Sequence, residues 1–282
     1  MVIVVEKYRE VEKSIIKKYR KEIWSKFVKA VKEYELISPS DKIAVCISGG
    51  KDSFLLAKCL EELKRHGQFD FGLEFIVMDP GYSEQHLNEI KKNLDLLNIN
   101  AHIFKSDIFD VTDLHGGDNP CYLCARMRRG FLYNKAKELG CNKIALGHHF
   151  NDVIETILMN IVYTGQFASM PPKLHSTNFE GMELIRPLYL VHEKDILSWT
   201  RFNELEFIDC ACSVTKKKSG KRQEIKELIN YLKTVYEDAD LNLFKCSMNT
   251  NIDTLLGYKE KGIRKSFLEN YDKCENDIEK DK

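Results

Sequence analysis

Residues 42–65 read KIAVCISGGKDSFLLAKCLEELKR, and the fold turns on how this stretch is understood. Ile43 to Ile47 is a short apolar run of the kind a strand buried on both faces presents. Ser53 to Arg65 then reads as a helix, so Ser48-Gly49-Gly50-Lys51-Asp52-Ser53 joins a strand to a helix start. Two glycines let the chain turn tightly and aim successive N–H groups at a ligand beside a helix N-terminus. With Lys51 and the hydroxyls of Ser48 and Ser53, those groups suit a phosphate or pyrophosphate. The GxxxxGK[ST] spacing is absent, so this is not a Walker A loop. A Gly-Gly turn with a serine helix cap is the purely structural alternative.

The same rhythm continues outward. Residues 73–78, 101–104, 143–146 and 183–186 read as strands, and 84–97, 126–139, 151–163 and 194–203 as helices. This predicts an α/β fold with a parallel sheet covered on both faces, which binds ligands at the carboxyl ends of its strands. Apolar Val11, Ile15, Tyr19, Ile23, Phe27 and Val31, four apart, predict one amphipathic helix over 6–35. Residues 164–181 read as a loop, a further helix reaches about 237, and 269–282 reads as a frayed polar end. The expected division is a basic amphipathic helix over 1–38, the nucleotide-binding domain with its CxxC insert over 39–210, and a basic, helical C-terminal region over 211–282.

Composition limits the alternatives. With 282 residues, 43 basic against 43 acidic side chains, 43% hydrophobic residues and nine cysteines, the chain reads as an ordinary globular protein. No apolar run approaches the ~20 residues that cross a bilayer, and the N-terminus lacks a signal-peptide pattern. A cytoplasmic location without a membrane partner is expected, where cysteines serve as thiols, metal ligands or redox groups. Zero net charge conceals local asymmetry: residues 1–40 carry ten basic against six acidic side chains, and residues 216–226 six against one. Each is either a solvated face or a surface for a polyanion.

Two further motifs carry chemistry. Gly147-His148-His149-Phe150-Asn151-Asp152-Val153-Ile154-Glu155-Thr156 follows a strand and opens a helix, with His148 and Asp152, four apart, expected on one face. A helix cap or core hydrogen bond is the plainer role for that pair. Pro120-Cys121-Tyr122-Leu123-Cys124 can aim two sulfurs at one metal, and alone it fits half a zinc site, a redox pair or cluster ligands. Further ligands are available at Cys210 and Cys212, whereas Cys46, Cys59 and Cys141 read as core and Cys246 and Cys274 have no nearby partner.

SGGKDS in this setting resembles the PP-loop of the ATP pyrophosphatase superfamily, and GHHFNDVIET resembles the GHxxxDxxET segment of its tRNA-modifying members. CYLCARMRRGFLYNKAKELGCNKIALGHHFNDVIET, ASMPPKL and IRPLYLVHEKDI look like the tRNA 2-thiocytidine synthetase family, the matches spanning about residues 40–225. The resemblance implies an adenine nucleotide α-hydrolase-like domain binding ATP through Ser48, Gly49, Gly50, Lys51, Asp52, Ser53, Gly147 and His148. It implies Lys51, Asp52 and Asp152 as catalytic residues, Asp52 orienting Mg²⁺ or the loop. It implies a [4Fe-4S] cluster on Cys121, Cys124 and a later cysteine, Cys212 with Cys210 as the alternative. Partners so implied are tRNA, held by Arg126, Arg128, Arg129, Lys216, Lys217 and Lys218, with Arg222 nearby, and a sulfur donor, either sulfide or a cysteine-desulfurase relay. A homodimer is also expected. Related 2-thiouridine synthetases, a PP-loop ligase with structural zinc, a persulfide route and a non-catalytic nucleotide sensor are the competing readings.

Overall fold

The computed structural model of the protein describes residues 2–67, 70–106, 108, 120–207 and 220–271, with the side chains of 2–6, 120–125 and 270 outside that description. Two compact units are present, residues 1–230 and 231–282.

In the first unit, α1 (Val2–Ile16), a π turn (Arg20–Trp24) and α2 (Ser25–Glu33) precede β1 (Lys42–Ile47) and α3 (Lys51–His66). There follow β2 (Gly72–Asp79), α4 (Glu84–Leu96), β3 (Ala101–Lys105), α5 (Pro120–Glu138), β4 (Lys143–Ala145) and α6 (Phe150–Thr164). Next come β5 (Lys173–His175), β6 (Glu183–Ile185), α7 (Glu193–Phe202) and α8 (Gly220–Val235). The sheet order is β3-β2-β1-β4-β6-β5, parallel throughout except for β5, which pairs antiparallel with β6. The expected parallel sheet is present. The expected loop over 164–181 instead contains this edge strand, whose three residues have too little pattern to announce a pairing.

Alternation along β1 explains the two covered faces. Ile43, Val45 and Ile47 join one core with α1–α4 and Trp199 of α7, whereas Ala44 and Cys46 join a second core with Tyr133 and Ala136 of α5. Cys46, Cys59 and Cys141 are buried as expected, and burial pushes all three thiols up, Cys141 to about 11.

The single helix expected over 6–35 is broken. An α-helix advances about 100° per residue, so positions four apart drift by roughly 40° per step and cannot stay on one face for five steps. A π turn at Arg20–Trp24, with Trp24 N–H bonded to Tyr19 O at 3.2 Å, resets the phase. All six stripe residues consequently remain buried. Buried charge ties α1 to the sheet domain: Lys58 of α3, 1% exposed, pairs with Glu12 at 2.6 Å and Glu61 at 2.5 Å, and Arg65 with Glu12 at 3.0 Å.

The second unit contains the end of α8, α9 (Ala239–Cys246), a 3₁₀ turn (Ile252–Thr254), the antiparallel hairpin β7 (Gly257–Glu260) and β8 (Ile263–Ser266), and α10 (Leu268–Tyr271). Among the described residues no helix is long and apolar enough to cross a membrane.

Candidate active site

The strand order reverses between β1 and β4, and a crevice outside the carboxyl ends of strands at such a point is where open α/β sheets bind ligands. Both sequence motifs fall there: 48–53 follows β1, and 147–152 follows β4, with Val45 and Ala145 in register. Gly49 has φ 91°, a conformation that favours glycine. Gly50 caps α3 in ordinary extended geometry, and a Cβ there would meet nothing nearer than Ser48 Oγ at 3.8 Å, so the turn itself does not require glycine at this position. Ser53 is buried and spent on the loop: its Oγ accepts from Ser48 N–H at 3.1 Å and donates to Gly50 O at 2.8 Å. Ser48 remains exposed. A Cβ on Gly147 would stand 3.0 Å from the carbonyl carbon of Asp52, so this glycine lets the second motif close against the first.

The crevice is lined with interleaved charge. Lys51 reaches Asp52 at 3.2 Å and Glu193, at the start of α7, at 3.5 Å. Burial opposes its charge, but Asp52 and Glu193 outweigh that and raise its pKa. His148 lies before α6 rather than on it, so the expected shared face with Asp152 is not formed; His149, the N-cap, takes that place. Asp152 Oδ2 accepts from His149 N–H at 2.9 Å in a capping box, and Oδ1 pairs with Arg222 of α8. Burial works to raise the Asp152 pKa, but His149 and Arg222 prevail and lower it.

Arg222 also bonds buried Glu155 at 2.6 Å, while Lys226, one turn on, reaches Glu155 at 3.7 Å and Glu193 at 3.2 Å. Burial still leaves Glu155 raised, whereas Lys226, His149 and Lys51 overcome it to lower Glu193. Sequence reading missed His149, Glu155, Glu193 and Lys226, and it set Arg222 between a solvated face and an RNA contact; in the structure Arg222 pairs with the two α6 carboxylates. The available signal was the i, i+4 spacing of Arg222 and Lys226, which aligns both on one face of α8.

Three buried atoms in this crevice have no hydrogen-bond partner among the described residues: Asp52 Oδ1, His148 Nδ1 and Arg186 Nε. His149 Nε2 stands 3.8 Å from that Asp52 oxygen. Burial, with smaller effects of Arg186, Arg222 and His149, pushes the His148 pKa down to about 4, keeping the ring neutral near pH 7. Burial likewise brings Arg186 down to about 10. Orphaned polar atoms of both polarities beside a glycine-lined loop fit a nucleotide with an associated cation, the donors facing phosphate and Asp52 the cation.

Cys121 and Cys124 occupy the start of α5, three residues apart on helical backbone, but their side chains lie outside the described residues, as do Cys210, Cys212, Lys216, Lys217, Lys218 and Cys274. Among the described residues no group of three metal-ligating side chains is assembled. Arg126 and Arg129 of α5 are exposed and Arg128 half-buried. Lys7, Lys13, Lys17 and Lys18, with Glu10 among them, line a groove along and just beyond α1 with Phe202, whose ring centre lies 3.3 Å from Lys18 Nζ.

A reversed-order parallel sheet with SGGKDS on β1 and GHHFND on β4 defines a PP-loop nucleotide-binding protein, and the PP-loop domain family matches residues 19–230. The tRNA-cytidine(32) 2-sulfurtransferase of Aliivibrio salmonicida is 37% identical over 237 residues, 82% of this chain and 76% of its own length. That of Citrifermentans bemidjiense is 38% identical over 72% of this chain and 80% of its own. The chain belongs to the tRNA-cytidine(32) 2-sulfurtransferase family. Its fold is also that of the U34-tRNA thiolase NcsA from Methanococcus maripaludis, solved with its [4Fe-4S] cluster, at a TM-score of 0.62, 22% identity, and coverage of 78% and 76% of the two chains.

Proposed function

We propose that the protein is an ATP-dependent tRNA sulfurtransferase that replaces O2 of a cytidine in the anticodon loop with sulfur. The observation that carries this reading is the closure of the GHHFND segment on the SGGKDS loop at the switch point, in a chain of this family.

In this reading ATP lies along residues 48–53 and 147–148, with Lys51 neutralising the pyrophosphate end. Asp52, whose Oδ1 has no hydrogen bond among the described residues, orients Mg²⁺ or the loop. O2 of the base attacks the α-phosphorus and pyrophosphate leaves, giving the O2-adenylate; hydrosulfide then adds to C2, its proton is lost, and AMP departs carrying the former O2 as the C2–O2 bond breaks. Cys121, Cys124 and Cys212, or Cys210 in place of the last, would hold a [4Fe-4S] cluster, which would supply a Lewis acid for the hydrosulfide. A base reacts at C2 only when unstacked, so the target is a loop nucleotide turned into the crevice. Exposed Arg126 and Arg129, half-buried Arg128, Lys216 to Lys218 and the lysine groove of α1 supply backbone contacts. The sulfur comes from free sulfide or a cysteine-desulfurase relay, and the working form is a cytoplasmic homodimer. In functional terms, 39–210 carries the nucleotide chemistry, flanked by basic regions at 1–38 and 211–282.

The experiment is nucleoside mass spectrometry of tRNA from cells lacking the protein. Loss of 2-thiocytidine supports the reading, loss of 2-thiouridine moves the target to another base, and unchanged thionucleosides refute it.

A further inference from the structure

Buried cations elsewhere in the first unit have carboxylate partners: Lys58 has Glu12 and Glu61, and Lys143 has Asp41 at 3.0 Å and Glu183 at 2.9 Å. Arg186 differs. It is 8% exposed, yet among the described residues no carboxylate lies within the 4.0 Å that defines an ion pair. One Nη donates to Pro171 O, the backbone N–H bonds Pro172 O at 2.9 Å, and Nε has no acceptor among the described residues. The charge of Asp152 offsets part of the cost of burying Arg186 without forming an ion pair with it, whereas Tyr189 and Tyr133, their pKa values raised by burial, stay neutral near pH 7. An arginine buried without a counter-ion is unfavourable unless an anion arrives to complete it.

Its location specifies where that anion sits. Arg186 directly follows β6, and Leu146 N–H bonds Ile185 O at 3.0 Å, so Arg186 flanks Gly147-His148 at the carboxyl end of the sheet. There the second orphaned atom, His148 Nδ1, is buried, and the charge of Arg186 contributes to keeping that ring neutral. A neutral imidazole can donate from one nitrogen, and a guanidinium presents a planar fork matched to phosphate oxygens.

We propose that Arg186, with His148 beside it, forms a phosphate-binding subsite across the crevice from the 48–53 loop. The subsite holds one phosphate group, either the α-phosphate of the nucleotide or a backbone phosphate of the RNA strand whose base is being modified. The proposal rests on the nucleotide and RNA reading of the crevice above.

The test is calorimetric titration of the full-length, cluster-loaded protein and its Arg186→Gln and Arg186→Lys variants with AMP, pyrophosphate and an anticodon stem-loop RNA. Arg186→Gln is expected to weaken a single ligand by about tenfold and leave the other two within about twofold. Loss confined to AMP assigns the α-phosphate, and loss confined to the RNA assigns the backbone phosphate. Pyrophosphate, held by the 48–53 loop, stays unchanged in both cases. Arg186→Lys keeps the charge but loses the fork, and weakens the same ligand by roughly fivefold; it decides the matter if the glutamine variant does not fold. Unchanged affinity for all three ligands, or a uniform loss that follows the folded fraction, overturns the subsite. A wild-type protein that uses Arg186 in binding yet forms no 2-thiocytidine refutes the proposed activity and leaves the subsite standing.

Discussion

Replacing Gly147 by alanine probes the contact that brings the two motifs together. The added Cβ would lie 3.0 Å from Asp52 C, 3.1 Å from Asp52 O and 3.1 Å from Ser53 N, where ordinary contact begins at 3.4 Å. Relief requires 3.4 − 3.0 = 0.4 Å of movement between two backbones, and no side-chain rotation supplies it. The first turn of α3 cannot yield cheaply, because Ser53, Phe54, Leu55 and Leu56 are all buried. Overpacking of this kind costs about 1–3 kcal/mol, and the displaced loop should raise KM for ATP by about tenfold. Gly50→Ala is the control. Its Cβ would meet nothing nearer than Ser48 Oγ at 3.8 Å, with φ −86°, so stability should stay within about 1 kcal/mol while nucleotide binding falls because a ligand approaches this backbone. Urea denaturation with ATP titration checks both variants. A Gly147→Ala protein with wild-type stability and wild-type KM would refute the close approach.

Lys58→Met leaves Glu12, 8% exposed, with Arg65 as its remaining cation, and should lower stability by about 3–5 kcal/mol in urea unfolding. Arg222→Gln leaves buried Glu155 with Lys226 at 3.7 Å and frees one oxygen of Asp152. Turnover should drop about tenfold or more with KM for tRNA little changed, and steady-state kinetics distinguishes this from a simple RNA contact, which would raise that KM instead. The folded protein holds His148 neutral down to about pH 4, whereas the unfolded chain binds a proton near 6.5. Protons therefore favour the unfolded state as pH falls through that window, and His148→Phe should flatten the acid-side slope of the urea midpoint against pH.

Much of this was legible in sequence where local pattern and tertiary role coincide. The run at 43–47 announces a doubly buried strand, and the glycine pair at 49–50 announces a tight turn before a helix, which Gly49 makes at φ 91°. What escaped depends on long-range partners. His149, not His148, meets Asp152 because the helix begins at Phe150, which makes His149 the N-cap and leaves His148 outside the helix. Glu193 and Arg222 are far from Lys51 and Asp152 along the chain, and nothing local in HEKD or GKRQ reports those pairings. Arg186 was equally silent, since only the folded environment shows that among the described residues no carboxylate pairs with it. The stripe over 11–31 carried its own correction: a strict spacing of four is incompatible with an unbroken α-helix, and the π turn reconciles them.

Reconstitution tests the central claim most directly. Anaerobically purified, iron- and sulfide-loaded protein is incubated with ATP, Mg²⁺, sulfide and unmodified tRNA, and nucleosides and nucleotides are resolved together by mass spectrometry. The predicted result is 2-thiocytidine with AMP and pyrophosphate formed in equal amount, abolished in Cys121→Ala and Cys124→Ala variants. ADP and phosphate as products, or tRNA without any thionucleoside, would contradict it.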